Sequence, residues 1–338
     1  MSAAEALTKA AKPHKFGKII LRTFIALLAL IAIIIAILTI RNQILTKRDR
    51  AFAADAYGEY YTTPEGAKMN YTVFDNGAEE DAVILPGYGS SSVRYEFDSF
   101  MYELKDQYNF IVVEPLGYGL SDGASTERSV SNYCEELHGL LASINRNHYT
   151  LIAHSIGGLY SLYYANQYPD EVNAFIGIDA TVPHQIDAQT PDIQPENAYK
   201  SYKRMRVLLY GTGINRVMTE RSFDQYTGTL LAHLSETDIE KARALNVSNT
   251  INDTLLDEMR MYAPNMHECY DMKFPESIPV LYVLSQSNCN TIAGWEDFHS
   301  AHITAPESKI TVIDGGHFLH NENLNGLKTE ITAWLASL

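Results

Sequence analysis

At residues 149–158 the chain reads YTLIAHSIGG, and this stretch decides the fold. A short apolar run, typical of a buried strand, breaks into small residues around Ser155, and a helix-like segment follows at once. A serine on a sharp turn between a strand and a helix is the geometry of a nucleophile elbow. Ala153 and Gly157, two residues before and two after, are small enough to permit the tight turn. The pentapeptide alone also fits an ordinary strand-to-helix turn, so the flanking chain must decide.

The chain on both sides of the elbow alternates between strand-like and helix-like segments. Several of these strands are nearly continuous in apolar residues, as expected for a parallel sheet covered by helices on both faces. The fold class predicted is therefore α/β, with a mostly parallel, doubly wound sheet. Six further strands are expected, at 71–74, 81–85, 108–113, 172–178, 278–284 and 309–313.

The strand pattern is interrupted between residues 184 and 273, where only helix-like amphipathic pieces occur. An insertion of this size between two core strands is most simply a helical cap over the strand ends. The predicted domains are a core made of residues 70–183 and 274–338, and a cap made of residues 184–273.

The N-terminal region contains an apolar segment at residues 19–40, long enough to cross about 30 Å of hydrocarbon as a helix. A cleaved signal peptide would have a shorter apolar region with a cleavage site close behind it. The A-x-A pattern at 51–53 lies too far from the apolar run to serve. We therefore expect an uncleaved, single-pass transmembrane helix.

The chain around this helix is predicted to form a basic cytoplasmic tail at residues 1–18 and a polar linker at residues 41–69. Five Lys or Arg residues precede or enter the apolar segment and four follow it. This difference favours a cytoplasmic N-terminus and an extracytoplasmic catalytic domain.

The charge of the chain is divided unevenly. Residues 1–50 carry +7, whereas the whole chain carries −15, which leaves −22 for residues 51–338. A domain with this negative charge is repelled by nucleic acid and by anionic lipid headgroups. We therefore expect the helix, and not the domain surface, to bind the membrane. The three cysteines share no metal-ligand spacing and do not suggest a disulfide framework.

Four motifs follow predicted strands in an order and spacing that resemble an α/β-hydrolase with a helical cap. They are LPGYG at 85–89, GYGLSD at 117–122, HSIGG at 154–158 and GGH at 315–317. The carboxyl ends of parallel strands, where these motifs lie, are where such sheets bind ligands. The resemblance covers the chain from about residue 70 to its end.

The resemblance implies a catalytic Ser155 with His317 as its general base, because a serine hydroxyl needs a base to become a nucleophile. His154 and His320 are nearby alternatives for the base. The family pattern places the oxyanion-hole donors at the backbone N–H groups of Tyr88 and Ile156.

The catalytic acid departs from the family pattern, because the residue at its usual place is Asn288. Asparagine orients a histidine but does not stabilise the imidazolium with charge. Asp179, after the preceding strand of the sheet, is the preferred acid. Asp297 and Glu296, further along the same loop, remain alternatives, as does Asn288 itself.

The function predicted is a membrane-anchored serine hydrolase that cleaves an ester, amide or peptide bond of a small-molecule or peptide substrate through an acyl-enzyme. A serine nucleophile argues against a haloalkane dehalogenase or epoxide hydrolase, which use aspartate in this fold. No metal, cofactor or nucleic acid is expected. The alternative is a catalytically impaired α/β-hydrolase-like module for binding or sensing. The absence of an acid at position 288 supports this alternative.

Overall fold

A computed structural model describes residues 14–55, 57–188, 195–227, 231, 233–249 and 251–338. The predicted basic tail falls mostly outside these residues. The sequence prediction of the sheet is confirmed, and each predicted strand is found within a few residues of its expected bounds. The eight strands are β1 (Glu59–Thr62), β2 (Lys68–Phe74), β3 (Glu80–Leu85), β4 (Tyr108–Glu114), β5 (Tyr149–His154), β6 (Val172–Ile178), β7 (Val280–Ser285) and β8 (Lys309–Ile313).

The strands form one sheet in the order β1-β2-β4-β3-β5-β6-β7-β8. The two pairs that involve β2 are antiparallel, and all the others are parallel. The elbow strand β5 lies in the middle of the parallel part, and β6, β7 and β8 follow it side by side. The carboxyl ends of these four strands therefore lie at one edge of the sheet.

Helices cover both faces of the sheet. The helices of the core are α2 (Val93–Glu96), α3 (Asp98–Glu103), α4 (Val130–Ser143), α5 (Gly157–Gln167), α10 (Gln286–Thr291), α11 (Trp295–Ser300), α12 (Leu319–Glu322) and α13 (Leu324–Leu335), after a long N-terminal helix α1 (His14–Ala53). The apolar side chains of α4 and α5 pack on one face of the sheet. Those of α3 and α13 pack on the other. This arrangement explains why β3, β4 and β5 are almost wholly apolar.

Between β6 and β7 the described chain is helical, as the sequence predicts for residues 184–273. The helices are α6 (Pro195–Met205), a π-helical turn (Arg206–Tyr210), α7 (Ile214–Thr227), α8 (Glu236–Ser248) and α9 (Asp253–Glu268). Asn252 begins α9 by accepting a hydrogen bond from the N–H of Leu255 at 3.0 Å. We refer to these helices as the cap.

The N-terminal helix differs from the prediction, which assigned residues 41–69 to a linker. Helix α1 continues without a break to Ala53, and β1 then adds a strand to the sheet edge. The polar residues that suggested a linker bind the cap. Asp49, only 7% exposed, pairs with the guanidinium of Arg216 on α7, and Ala53 packs with Leu245 of α8 in an apolar cluster.

Helix α1 is long and apolar enough, from Gly17 onward, to cross a membrane. Its most apolar window has a mean hydropathy of 3.1, and none of that window is buried against the protein. By length and composition, the segment fits either a membrane span or a signal sequence.

Candidate active site

Ser155 lies on the turn between β5 and α5, with a backbone φ of 52°. This left-handed conformation is uncommon for residues other than glycine and marks a turn fixed by its surroundings. The Ser155 carbonyl accepts hydrogen bonds from the N–H groups of Gly158 and Thr181, which hold the turn in place. A Cβ atom on Gly158 would lie 2.6 Å from the Cβ of Ala180, so the close packing of α5 on the loop after β6 requires glycine here.

His317 follows β8, in the turn after Gly315 and Gly316, and its imidazole reaches Ser155. The Nε2 atom lies 3.0 Å from the Ser155 Oγ. On the opposite side of the ring, Nδ1 lies 2.7 Å from the Oδ2 of Asp179. These two hydrogen bonds connect serine, histidine and carboxylate in one chain, in the arrangement of a Ser-His-Asp triad.

Asp179 directly follows β6 and is completely buried. Its backbone also adopts the left-handed conformation, with φ of 41°. The carboxylate accepts four hydrogen bonds besides that of His317. They come from the Ser285 N–H at 2.9 Å, the Ser285 hydroxyl at 3.1 Å, the Asn288 side-chain amide at 2.6 Å and the Trp295 indole at 3.2 Å. The site thus surrounds a buried charge with donors, as burial of a carboxylate requires.

The other three residues considered for the acid occupy different places. Asn288, on α10, donates to Asp179 and supports that carboxylate from the side. Glu296 and Asp297 are exposed on α11, because the preceding Trp295 occupies the buried face of that helix. Of the four residues considered, Asp179 is the one hydrogen-bonded to His317. Sequence reasoning missed the donors Ser285 and Trp295, although a tryptophan beside the two candidate carboxylates was an available signal.

The loop after β3 brings the backbone of Tyr88 beside the elbow. A Cβ atom on Gly87 would lie 2.5 Å from the Nδ1 of His154 and 3.2 Å from the Cβ of Ser155, so this approach requires glycine. The Tyr88 hydroxyl anchors the loop to the cap by donating to the Leu255 carbonyl at 2.7 Å. Within the described part of the chain, the N–H groups of Tyr88 and Ile156 donate to no backbone carbonyl. Both predicted oxyanion donors are therefore unoccupied by the fold.

A buried polar group lies behind His317. The His154 Nε2 lies 3.0 Å from the His317 carbonyl oxygen, and burial lowers the pKa of His154 well below its usual value, so its ring is neutral. The His320 Nε2 lies 3.3 Å from a carboxylate oxygen of Glu96. Ligand atoms of His154, His320 and Glu96 all lie within 4.8 Å of one another, which makes them the group in the described chain that could hold a metal ion. Neither histidine is hydrogen-bonded to Ser155, whose hydroxyl instead lies 3.0 Å from the Nε2 of His317.

The triad opens into a cavity of about 570 Å³ between the core and the cap. Ser155, His317 and Tyr88 lie on its core side, and Tyr202 and Tyr210 lie on its cap side. A cavity of this volume is in the usual range for small-molecule sites. The cap therefore contributes directly to the walls of the site.

Comparisons with known proteins agree with this architecture. An uncharacterised Bacillus subtilis protein, YbdG, is 27% identical over 239 residues, which cover 67% of this chain and 68% of that protein. The 2-(acetamidomethylene)succinate hydrolase of Mesorhizobium japonicum is 34% identical over 131 residues, 38% of this chain and 46% of that enzyme. The crystal structure of Cfl2 from Burkholderia cenocepacia superposes with a TM-score of 0.59 at 20% identity, over 82% of this chain and 99% of that chain. This last likeness supports the fold alone.

The sequence model of the alpha/beta hydrolase fold matches residues 83–324. The match includes the loop of Tyr88, the elbow at Ser155 and the turn of His317. Because it covers most of the sequence, and because the sheet order and the strand-end site agree with it, this chain belongs to the alpha/beta hydrolase fold family.

Proposed function

We propose that the protein is a membrane-anchored serine hydrolase that cleaves an ester, amide or peptide bond through an acyl-enzyme intermediate. The observation that carries the proposal is the continuous hydrogen-bond chain from the Ser155 hydroxyl through His317 to the buried carboxylate of Asp179. Membership of a hydrolase family and the apolar part of α1 add independent support.

In the proposed mechanism, the Ser155 Oγ attacks the substrate carbonyl carbon while the His317 Nε2 takes the hydroxyl proton. Asp179 stabilises the resulting imidazolium through Nδ1. The N–H groups of Tyr88 and Ile156 donate to the oxyanion of the tetrahedral intermediate. His317 then protonates the leaving group, and a water molecule, activated by the same histidine, releases the acid and regenerates Ser155.

A catalytically impaired binding or sensing module remains the alternative, since it would account for asparagine at position 288. The Asp179–His317 distance of 2.7 Å favours the hydrolase, because a carboxylate on the neighbouring strand replaces what position 288 lacks.

The experiment that tests the proposal is covalent labelling of the detergent-solubilised full chain with a fluorophosphonate probe. We expect the wild-type protein to label and the Ser155→Ala variant to lose labelling. Ser161→Ala is a matched control, because Ser161 is buried on the adjoining helix α5 and its hydroxyl donates to the Gly157 carbonyl. No labelling of the wild type, or equal labelling after Ser155→Ala, contradicts the proposal.

A further inference from the structure

The second half of α1 is docked along the cap on one face. Leu38, Asn42 and Leu45 are partly buried, and Asp49 and Ala53 are fully buried. Their spacing of three or four residues places them on one side of the helix. The buried side of the helix therefore begins at Leu38, inside the segment predicted to cross the membrane.

Polar contacts fix the position of the cap along the helix axis. The Asn42 side chain donates to the Tyr210 carbonyl at 2.8 Å. Arg216, only 4% exposed, donates to the side-chain oxygens of Asn42 at 3.2 Å and Thr46 at 3.1 Å, and pairs with buried Asp49. A buried pair of this kind strongly resists separation, because removal of one partner leaves an uncompensated charge.

These contacts place part of the cap beside the end of the apolar segment 19–40 of α1. Asn42 lies two residues beyond Ile40, which is about 3 Å along a helix axis. The turn Arg206–Tyr210, which contacts Asn42, is thus near the level of the membrane–water interface if residues 19–40 span the bilayer.

At this level the cap exposes large apolar side chains. Val207 is 68% exposed, Leu208 63%, and Ile214 and Val217 about 45% and 44%. Such a group of exposed apolar residues, continuous with an apolar helix, marks a surface for a protein or a membrane. Besides the buried Arg216, residues 195–218 contain four Lys or Arg and one acidic residue, in a domain that otherwise carries a large negative charge. Apolar side chains beside basic ones are typical of interfacial membrane helices.

The same cap segment forms a wall of the active site. Tyr202 and Tyr210 line the cavity that contains Ser155 and His317, together with Asn215 and Thr219. The surface at the bilayer level and the cavity above the nucleophile are therefore built from one short stretch of chain.

We propose that residues 206–218 of the cap insert into the lipid bilayer surface and that the enzyme takes its substrate from it, as a membrane-borne acyl ester or amide. The inference rests on the serine hydrolase and the membrane anchor proposed above. It differs from the expectation, based on overall charge, that the domain surface does not bind the membrane. In the reaction, the acyl group passes from its alcohol or amine to the Ser155 Oγ, and water then releases it as a carboxylic acid.

Insertion is tested directly with a tryptophan probe. The two native tryptophans, Trp295 and Trp334, are buried in the core, so a surface tryptophan is read against a protected background. We expect the fluorescence of Leu208→Trp, in full-length protein reconstituted in phosphatidylcholine vesicles, to be quenched strongly by brominated phosphatidylcholine. Leu338→Trp, at an exposed C-terminal position, is the control and should be quenched no more than the wild type. Equal quenching of both variants overturns the proposal. A second copy of the chain that covered the patch would give that result.

Substrate delivery is tested with the Val207→Ser/Leu208→Ser double variant in the same vesicles. We expect it to lose at least about tenfold in kcat/KM on a long-chain ester embedded in the vesicles, and to stay within twofold of wild type on a water-soluble short-chain ester. Val73→Ser, an exposed apolar position on β2, should change neither rate. An equal loss on both esters, or no loss on either, overturns the inference. If Ser155-dependent hydrolysis of the soluble ester is absent, the proposed function is overturned instead. The quenching measurement does not depend on hydrolysis, so it still tests the insertion of the cap.

Discussion

At the residue scale, the buried side chain of Asp179 is surrounded by hydrogen-bond donors. One of these donors is Asn288, at the position where the resemblance places the acid. An amide cannot carry the charge, but its N–H₂ group can donate to a carboxylate on the next strand. We interpret the site as one in which the carboxylate is Asp179, after β6, and Asn288, after β7, supports it with a hydrogen bond.

Glu114 is a second buried carboxyl group, at the end of β4. Burial raises its pKa to about 7, although hydrogen bonds from the Tyr57 hydroxyl and the Leu120 N–H partly oppose the effect. A carboxyl group whose folded pKa lies above its unfolded pKa stabilises the fold below the unfolded value, and that contribution is lost as the pH rises through the folded pKa. The contribution of Glu114 to stability should therefore fall as the pH rises from about 4.5 to about 7, and stay reduced above that pH.

We predict that Glu114→Gln is as stable as the wild type at pH 4.5, where both side chains are neutral, and more stable at pH 8. The pKa shift corresponds to about 3 kcal/mol at the higher pH. The measurement is the melting temperature of both proteins across this pH range in detergent. Comparing the two proteins at each pH cancels the other titrating groups. A difference that is constant with pH, or that shrinks as the pH rises, contradicts this description of Glu114.

At the element scale, strands were easier to predict than the segments that join them. The run at 81–85 and the run at 108–113 became β3 and β4 with one added residue each, because continuous apolar residues are required wherever both faces of a sheet are covered. The four-residue edge strand β1 has no such pattern. The sequence predicts a linker at the end of α1, because the polar residues there bind a part of the cap more than 150 residues away, and local periodicity does not reveal such contacts.

The loop after β3 provides the element-scale prediction. Gly87→Ala should lower kcat at least tenfold with a small effect on thermal stability, because the added Cβ would lie 2.5 Å from the His154 Nδ1 and displace the N–H of Tyr88. The loss of one oxyanion donor costs about 10²–10³-fold in kcat in a serine hydrolase. The measurement is kcat on a soluble ester.

The control for this prediction is a double-mutant cycle with His154→Ala, which removes the side chain that the new methyl group would strike. The cost of Gly87→Ala should be smaller in the His154→Ala background. Wild-type activity in Gly87→Ala, or an equal cost in both backgrounds, shows that the contact with His154 does not position the loop.

At the scale of the whole molecule, three distant parts of the chain meet at one edge of the sheet. Ser155 and His317 are 162 residues apart and Asp179 and His317 are 138 residues apart, yet each pair is within hydrogen-bond distance. The order of strands in an α/β sheet was enough to predict that these residues share an edge. It favoured Asp179 but left Asn288, Asp297 and Glu296 open, because the orientation of these residues depends on how α10 and α11 turn after β7.

The measurement that tests the central claim most directly is kcat of Asp179→Asn on an ester substrate, with Asp297→Asn as the matched control. Replacing the triad aspartate with asparagine removes the charge that stabilises the His317 imidazolium, and should lower kcat about 10⁴-fold. Asp297 is exposed and should tolerate the change within twofold. An Asp179→Asn variant within tenfold of wild type, or an equal loss in Asp297→Asn, would contradict the assignment of the acid to Asp179, directly after β6.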